Sequence, residues 1–122
     1  MADMRVELVA PDRLLWEGQA TFVFARTTAG EIGILPRHVP LVAEIIEGEM
    51  VRIDSADGEE FRAAVHGGFL SVTEQGVTIL AESAEPAEEV DVEQAQRDFQ
   101  SEDEEVRNRG RAQLRAAGHS AV

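Results

Sequence analysis

The groups in this 122-residue chain equipped for chemistry are three histidines, 24 carboxylates and eleven arginines. Catalysis needs an acid, base or nucleophile held by its neighbours in a concave setting. His38 stands between two prolines in Leu35-Pro36-Arg37-His38-Val39-Pro40, His66 precedes Gly67-Gly68, and His119 lies in the C-terminal tail. No H-x-H, H-E-x-x-H or carboxylate–histidine spacing joins them, so they read as turn and surface hydrogen-bonding groups rather than metal ligands. Ser71, between Leu70 and Val72, lacks the Gly-x-Ser-x-Gly setting and reads as a strand serine. Gly30 and Gly33 do not make a Gly-x-Gly-x-x-Gly or Walker loop. Cysteine is absent, which removes thiol nucleophiles, disulfides, zinc–thiolate sites and iron–sulfur clusters. The carboxylates read as solvated faces. The residues assign no catalytic group and no metal ligand.

What could position a site is a single domain, or one domain with an appendage, because a chain this short cannot build two cores. Its formal charge of −13 repels phosphate backbones, so nucleic acid is not an expected partner. No apolar run approaches the ~20 residues of a membrane helix. The N-terminal Met-Ala-Asp-Met-Arg-Val-Glu carries no apolar signal segment, so a cytoplasmic location is expected.

Residues 1–84 read as short strands. Met4, Val6 and Leu8 alternate with Arg5 and Glu7, the period of a half-buried strand. Further runs fall at Leu14 to Trp16, stopped by Gly18, and at Thr21 to Ala25, Ile32 to Ile34, Val42 to Ile46, Met50 to Ile53, Phe61 to Val65, Phe69 to Val72 and Val77 to Leu80. Asp57-Gly58 signals a two-residue type I′ hairpin, which needs positive φ at both positions. About nine short strands with closely spaced turns predict an all-β sandwich or barrel.

Residues 85–122 change period after the proline-and-charge connector Glu85-Pro86-Ala87-Glu88-Glu89. Asp91 and Gln94 have capping-box spacing, and Val92, Ala95 and Phe99 then share one helical face. Ser101 and Glu104 repeat the capping pattern and predict a second helix, acidic at its start and arginine-rich toward its end, as the helix dipole favours. The apolar stripe is thin, so the hairpin is expected to bury little and to be held weakly. The expected division is a sandwich domain over 1–84 and a helical hairpin over 85–122.

The segment Gly30-Glu31-Ile32-Gly33-Ile34-Leu35-Pro36-Arg37-His38-Val39-Pro40-Leu41 concentrates glycine, proline and aliphatic residues in a stiff loop. Spacing alone reads it as a tight sandwich corner or as a docking edge offering Glu31, Arg37 and His38. Here the sequence resembles the epsilon subunit of bacterial F-type ATP synthases, whose signature Gly-x-x-Gly-Ile-x-Pro-x-His-x-Pro-Leu runs intact from Gly30 to Leu41. Val6-Glu7-Leu8-Val9, Trp16-Glu17-Gly18, Gly67-Gly68-Phe69-Leu70 and Val77-Thr78-Ile79-Leu80-Ala81-Glu82-Ser83-Ala84 fall in the family's order and spacing. The likeness covers most of residues 4–95.

The resemblance implies a mainly β fold, a ten-strand sandwich followed by a C-terminal helix-turn-helix hairpin. It implies a non-catalytic central-stalk subunit, turning with gamma on the ring of c subunits and coupling proton flow to ATP synthesis. Such a subunit is peripheral to the cell membrane on its cytoplasmic side. By this analogy Glu31 faces the ring with Gly30, Gly33, Arg37 and His38 beside it, and Pro40, Leu41, Val42 and Ala43 lean on gamma. A rim charge such as Glu31 sets register more than affinity. In many relatives the hairpin extends along gamma, reaches the alpha/beta subunits and blocks hydrolysis. Some bind ATP through Ile/Leu-Asp-x-x-Arg-Ala, which here reads Val90-Asp91-Val92-Glu93-Gln94-Ala95. Gln94 replaces the arginine, so Asp91, Arg111 and Arg115 offer at most a weak nucleotide contact and no cofactor is expected. About 16 residues separate Ser101 from Ala117, a span of ~24 Å that argues against deep insertion. A role in regulating hydrolysis stays open. Without the resemblance, a free acidic β-sandwich binding a small molecule or peptide fits the residues equally well.

Overall fold

The computed structural model describes residues 3–118, and His119 lies outside them. Among the described residues, nine strands run in chain order: β1 (Met4–Ala10), β2 (Arg13–Thr27), β3 (Gly30–Ile34), β4 (Leu41–Glu44), β5 (Glu49–Ser55), β6 (Glu60–Val65), β7 (Gly68–Thr73), β8 (Gly76–Ala81) and β9 (Ala84–Pro86). Helices α1 (Val92–Phe99) and α2 (Glu104–Ala116) follow. All nine strands join one sheet in the order β4-β7-β8-β1-β2-β5-β6-β9, with β3 also on β2.

The sheet folds over into two layers because β2 serves both. Its first half pairs antiparallel with β1, and its second half pairs with β5 and β3. The register slips between Ala20 and Phe22, so the strand turns its inward face from one layer to the other. The stop expected at Gly18 is therefore absent, and two expected strands form one of 15 residues. Each remaining apolar run falls on a strand, although β4 ends at Glu44 and leaves Ile45 and Ile46 beyond it. With β9, which no run predicted, the strands number nine among the described residues, close to the ten the resemblance implied.

Alternation does the rest. Val6, Leu8, Leu70, Val72, Val77 and Ile79 of one layer meet Val23, Ala25, Ile34, Val51, Ile53, Ala63 and Val65 of the other in one core. Each fully buried aliphatic contributes ~1.5–3 kcal/mol relative to exposure. Trp16 and Phe61 close one flank with ring centroids 6.5 Å apart.

Two local readings need correction. At Asp57-Gly58 only Gly58 has positive φ, and Ser55 N donates to Glu59 O at 2.8 Å. The hairpin therefore closes through a three-residue loop whose glycine takes the left-handed position, instead of a type I′ pair. In the hairpin, Asp103 rather than Ser101 caps α2, accepting from Glu105 N and Val106 N. Ser101 Oγ instead accepts from Asp103 N at 3.1 Å and shapes the approach.

The segment around Glu85 and Pro86 is itself a strand, pairing with β6 before a 3₁₀ turn over Ala87–Glu89. Strand β6 is covered on both faces, which explains its unbroken Ala63-Ala64-Val65. Ala63 and Val65 enter the sandwich core, whereas Ala64 packs outward beneath Ala112 and Ala116 of α2. Helix α1 lies against α2 through Ala95 and Leu114, flanked by Val90, Val92 and Phe99.

Candidate functional site: a loop-built foot and an apolar outer face

The glycine–proline segment forms β3 and the turn after it. Strand β3 pairs with β2, with Glu31 opposite Arg26 and Gly33 opposite Phe24. A Cβ on Gly33 would come within 2.9 Å of the Phe22 ring, so glycine there makes room for an aromatic side chain. Gly30, at φ 120°, supplies the left-handed geometry that ends the Thr28-Ala29 reversal. Thr27 Oγ1 closes that reversal by donating to Gly30 O at 2.9 Å.

Beyond β3, His38 N donates to Leu35 O at 3.1 Å, with Pro36 and Arg37 at the turn's centre. Proline at the first central position and positive φ at the second define a type II turn. Arg37 has φ 71° and is the one non-glycine residue with positive φ among those described. This conformation normally selects glycine, so the turn holds an arginine at a local energetic cost. His38 Nδ1 lies 2.7 Å from Val39 O.

The structure divides the expected ring-facing residues into two places. Arg37 and His38, with Leu35, Val39 and Pro40, line one wall of an open groove of about 700 Å³. The β7–β8 turn (Thr73, Glu74, Gln75) and the start of β1 line the other wall. Glu31 lies at the opposite end of β3, about 10 Å along the strand at ~3.3 Å per residue. Its carboxylate is ion-paired with Arg26 yet its side chain stays 56% exposed.

Of the residues expected to lean on gamma, Leu41 turns its side chain toward the core, Ala43 is half-buried and Pro40 is exposed. Val42 is 73% exposed. The sheet extends that exposure into a surface that the sequence reading missed. Phe69 pairs with Leu80, Leu80 with Val9, and Val9 with Leu14 across four adjacent strands. Phe69, Leu80 and Leu14 are each more than half exposed. The available signal was a break in alternation, since Phe69 and Leu80 each sit beside an inward-facing residue (Leu70, Ile79).

The expected nucleotide-contact residues are engaged within the chain. Asp91 caps α1, its Oδ1 accepting from Gln94 N at 3.1 Å. Arg111 Nε donates to Gly48 O at 3.2 Å, and Arg115 Nη1 donates to Glu49 Oε1. His66 sits in a small cleft with Glu47, Glu82, Glu105, Asn108 and Arg109. Burial, and secondarily the Arg109 charge, push its pKa down to about 4. No group of three or more His, Asp or Glu suited to a metal occurs among the described residues, and no helix there is long and apolar enough to cross a membrane.

Fold and surfaces describe a two-layered β-sandwich with a shaped Gly/Pro edge, an apolar flank and a docked helical hairpin. Residues 3–87 match the family model for the ATP synthase delta/epsilon chain β-sandwich domain. The chain is 56% identical over 118 residues to the ATP synthase epsilon chain of Mycobacterium sp. (strain KMS), covering 97% of this chain and 98% of that one. It is 57% identical to the epsilon chain of Mycobacterium avium (strain 104), with the same coverage. Among solved structures it resembles a chain of the Euglena gracilis mitochondrial ATP synthase OSCP/F1/c-ring assembly, with TM-score 0.69, 28% identity, and coverage of 98% of this chain and 83% of that one. A chain of the Tetrahymena thermophila central stalk/c-ring structure shares the fold at TM-score 0.59 and 16% identity, covering 75% of this chain and 72% of that one. The chain belongs to the ATP synthase delta/epsilon chain family.

Proposed function

We propose that this chain is the epsilon-type, non-catalytic rotor subunit of an F-type ATP synthase, passing torque between the c-subunit ring and gamma. The observation that carries this reading is the 56% identity over 118 residues, 97% of this chain, to a chain bearing the epsilon name. A free binding module, the other reading of the residues, gives no reason for that full-length agreement.

In this reading the foot meets the ring. Glu31 stands exposed on a rigid edge strand, and the Leu35–Pro40 turn offers Arg37 and His38 beside an open groove. Its exposed charges set register with the ring more than they hold it. The gamma-facing surface is the outer face of β4, β7, β8, β1 and the start of β2, where Phe69, Leu80, Val9 and Leu14 form a cross-strand row and Val42 stands on the same face opposite Ser71. A connected apolar patch of that kind marks a protein contact. The subunit sits at the cytoplasmic side of the cell membrane, held there by its partners. The hairpin is the part that would reach alpha/beta subunits and regulate hydrolysis. ATP is not a ligand in this reading, since Asp91 acts as a helix cap and both arginines bind the sandwich.

Affinity capture of the tagged chain from solubilised membranes tests the assignment. Gamma and c subunits are expected with it, and recovery of the chain without them refutes the stalk role. Glu31→Arg in the assembled enzyme is expected to weaken ATP-driven proton pumping in vesicles more than ATP hydrolysis. Unchanged pumping removes Glu31 from the ring contact.

A further inference from the structure

Glu49 opens β5 and is only 7% exposed, among the most buried of the described charged side chains. A buried carboxylate persists only where positive partners compensate its lost hydration. Two arginines from different parts of the chain do so. Arg26 of β2 reaches Glu49 Oε1 with Nη1 at 3.3 Å, and Arg115 of α2 donates to the same oxygen. One helical turn earlier, Arg111 donates to Gly48 O and, at 3.4 Å, to Glu47 O. The turn is shaped to receive the helix: a Cβ on Gly48 would lie 2.5 Å from Arg111 Nη2 and 3.0 Å from Asn108 O. The apolar contact between α2 and the sheet is slight by comparison, mostly Ala112 and Ala116 on Ala64 with Met50 and Ala87. Polar contacts therefore make up much of this seam, Gln113 Nε2 adding a donation to Glu85 Oε1 at 3.0 Å.

The string of charges continues outward. Arg26 also pairs with Glu31, so Glu31, Arg26, Glu49 and Arg115 alternate in sign from the edge of β3 to the last turn of α2. We propose that Glu49 is the hub of an intrachain latch that holds the hairpin on the sandwich, and that Arg26 ties the latch to Glu31. With Glu31 neutralised or taken by another cation, two guanidinium groups face one carboxylate. Arg26 is fixed in the sheet, so the hairpin's Arg115 is the group that yields. All four groups belong to this chain, so the proposal does not rest on the partners proposed above.

Hydrogen exchange of the purified full-length chain tests it. Arg115→Gln and Glu49→Gln are each expected to speed exchange of α2 amides at least about tenfold, with β1 and β8 amides unchanged. The double variant is expected to fall short of the sum of the two single effects, because both substitutions remove the shared Arg115–Glu49 pair. Glu31→Gln is expected to give a smaller increase, about two- to threefold, that vanishes in the Glu49→Gln background. Should Glu49→Gln loosen the sandwich as well, Arg115→Gln alone decides, since it alters only the helix side. Wild-type exchange in Arg115→Gln, or fully additive effects of the two substitutions, overturns the latch. Wild-type exchange in Glu31→Gln overturns the tie to Glu31.

Discussion

Gly110 sits in the middle of α2, where glycine costs ~1 kcal/mol of helix propensity relative to alanine. Propensity alone therefore says that Gly110→Ala stabilises the hairpin. The structure says the reverse. A Cβ at Gly110 would lie 2.6 Å from Phe99 N, 2.7 Å from Ala95 O and 2.9 Å from Asp98 Cβ. Two of these atoms are backbone and cannot rotate away, so α1 must retreat by the better part of an ångström. That retreat opens the contact of Ala95 with Leu114, the centre of the small hairpin core. Overpacking costs ~1–3 kcal/mol and rigid neighbours place this case at the upper end, leaving a net loss of about 1–2 kcal/mol after the propensity gain. A loss of that size multiplies the open population about 5–30-fold. Limited trypsin digestion reads it directly, because Arg97, Arg107, Arg109, Arg111 and Arg115 all lie in the hairpin. Cleavage there tracks the open population when reclosing is fast. Gln96→Ala, on an exposed position of α1, provides the control for propensity alone. If Gly110→Ala slows cleavage as Gln96→Ala does, helix–helix proximity is not what selects glycine.

Other substitutions test other parts of the structure. Arg37→Gly relieves the left-handed strain of the type II turn and is expected to raise stability by about 1 kcal/mol, read as a higher urea midpoint at unchanged slope. A lower midpoint would show that the Arg37 side chain contributes more than its backbone costs. Asp91→Ala removes the cap of α1 and is expected to cost about 1 kcal/mol of hairpin stability, visible as lost helical circular dichroism on warming. Folded His66 remains neutral down to about pH 4, whereas the unfolded imidazole takes its proton near 6.5. Between those values only the unfolded chain binds the proton, so stability falls as pH drops through this window and returns as it rises. The loss is roughly 1–3 kcal/mol at the acid end, allowing for partial exposure and for Glu47, Glu82, Glu105 and Arg109 in the same cleft. His66→Asn is expected to flatten the profile over that interval, and an equal slope in both proteins would exclude His66 as the source.

Much of this architecture is legible in the residues. Period-two alternation in Met4–Leu8 places a strand face, because a strand with one buried side must alternate. The change of period after Val90 marks helices, and Asp91 marks where the first begins. The segment from Gly30 to Leu41 marks a shaped edge, since two glycines and two prolines there set the backbone.

What local pattern did not decide depends on partners distant in the chain. Gly18 looked like a strand end, yet β1 and β5 grip opposite halves of β2 and keep it continuous through a register slip. Ser101 looked like a cap, but Asp103 is nearer the first free amides of α2. Ala64 breaks the alternation of β6 because a helix nearly fifty residues later covers it. Glu49 is one acid among many in sequence, and only folding brings Arg26 and Arg115 to the same oxygen. Phe69, Leu80, Val9 and Leu14 become one apolar row solely through cross-strand register. Sequence periodicity reports which side of an element is buried, since that follows from backbone geometry alone. Which element does the burying, and which charges meet there, is settled by packing among residues that the chain keeps far apart.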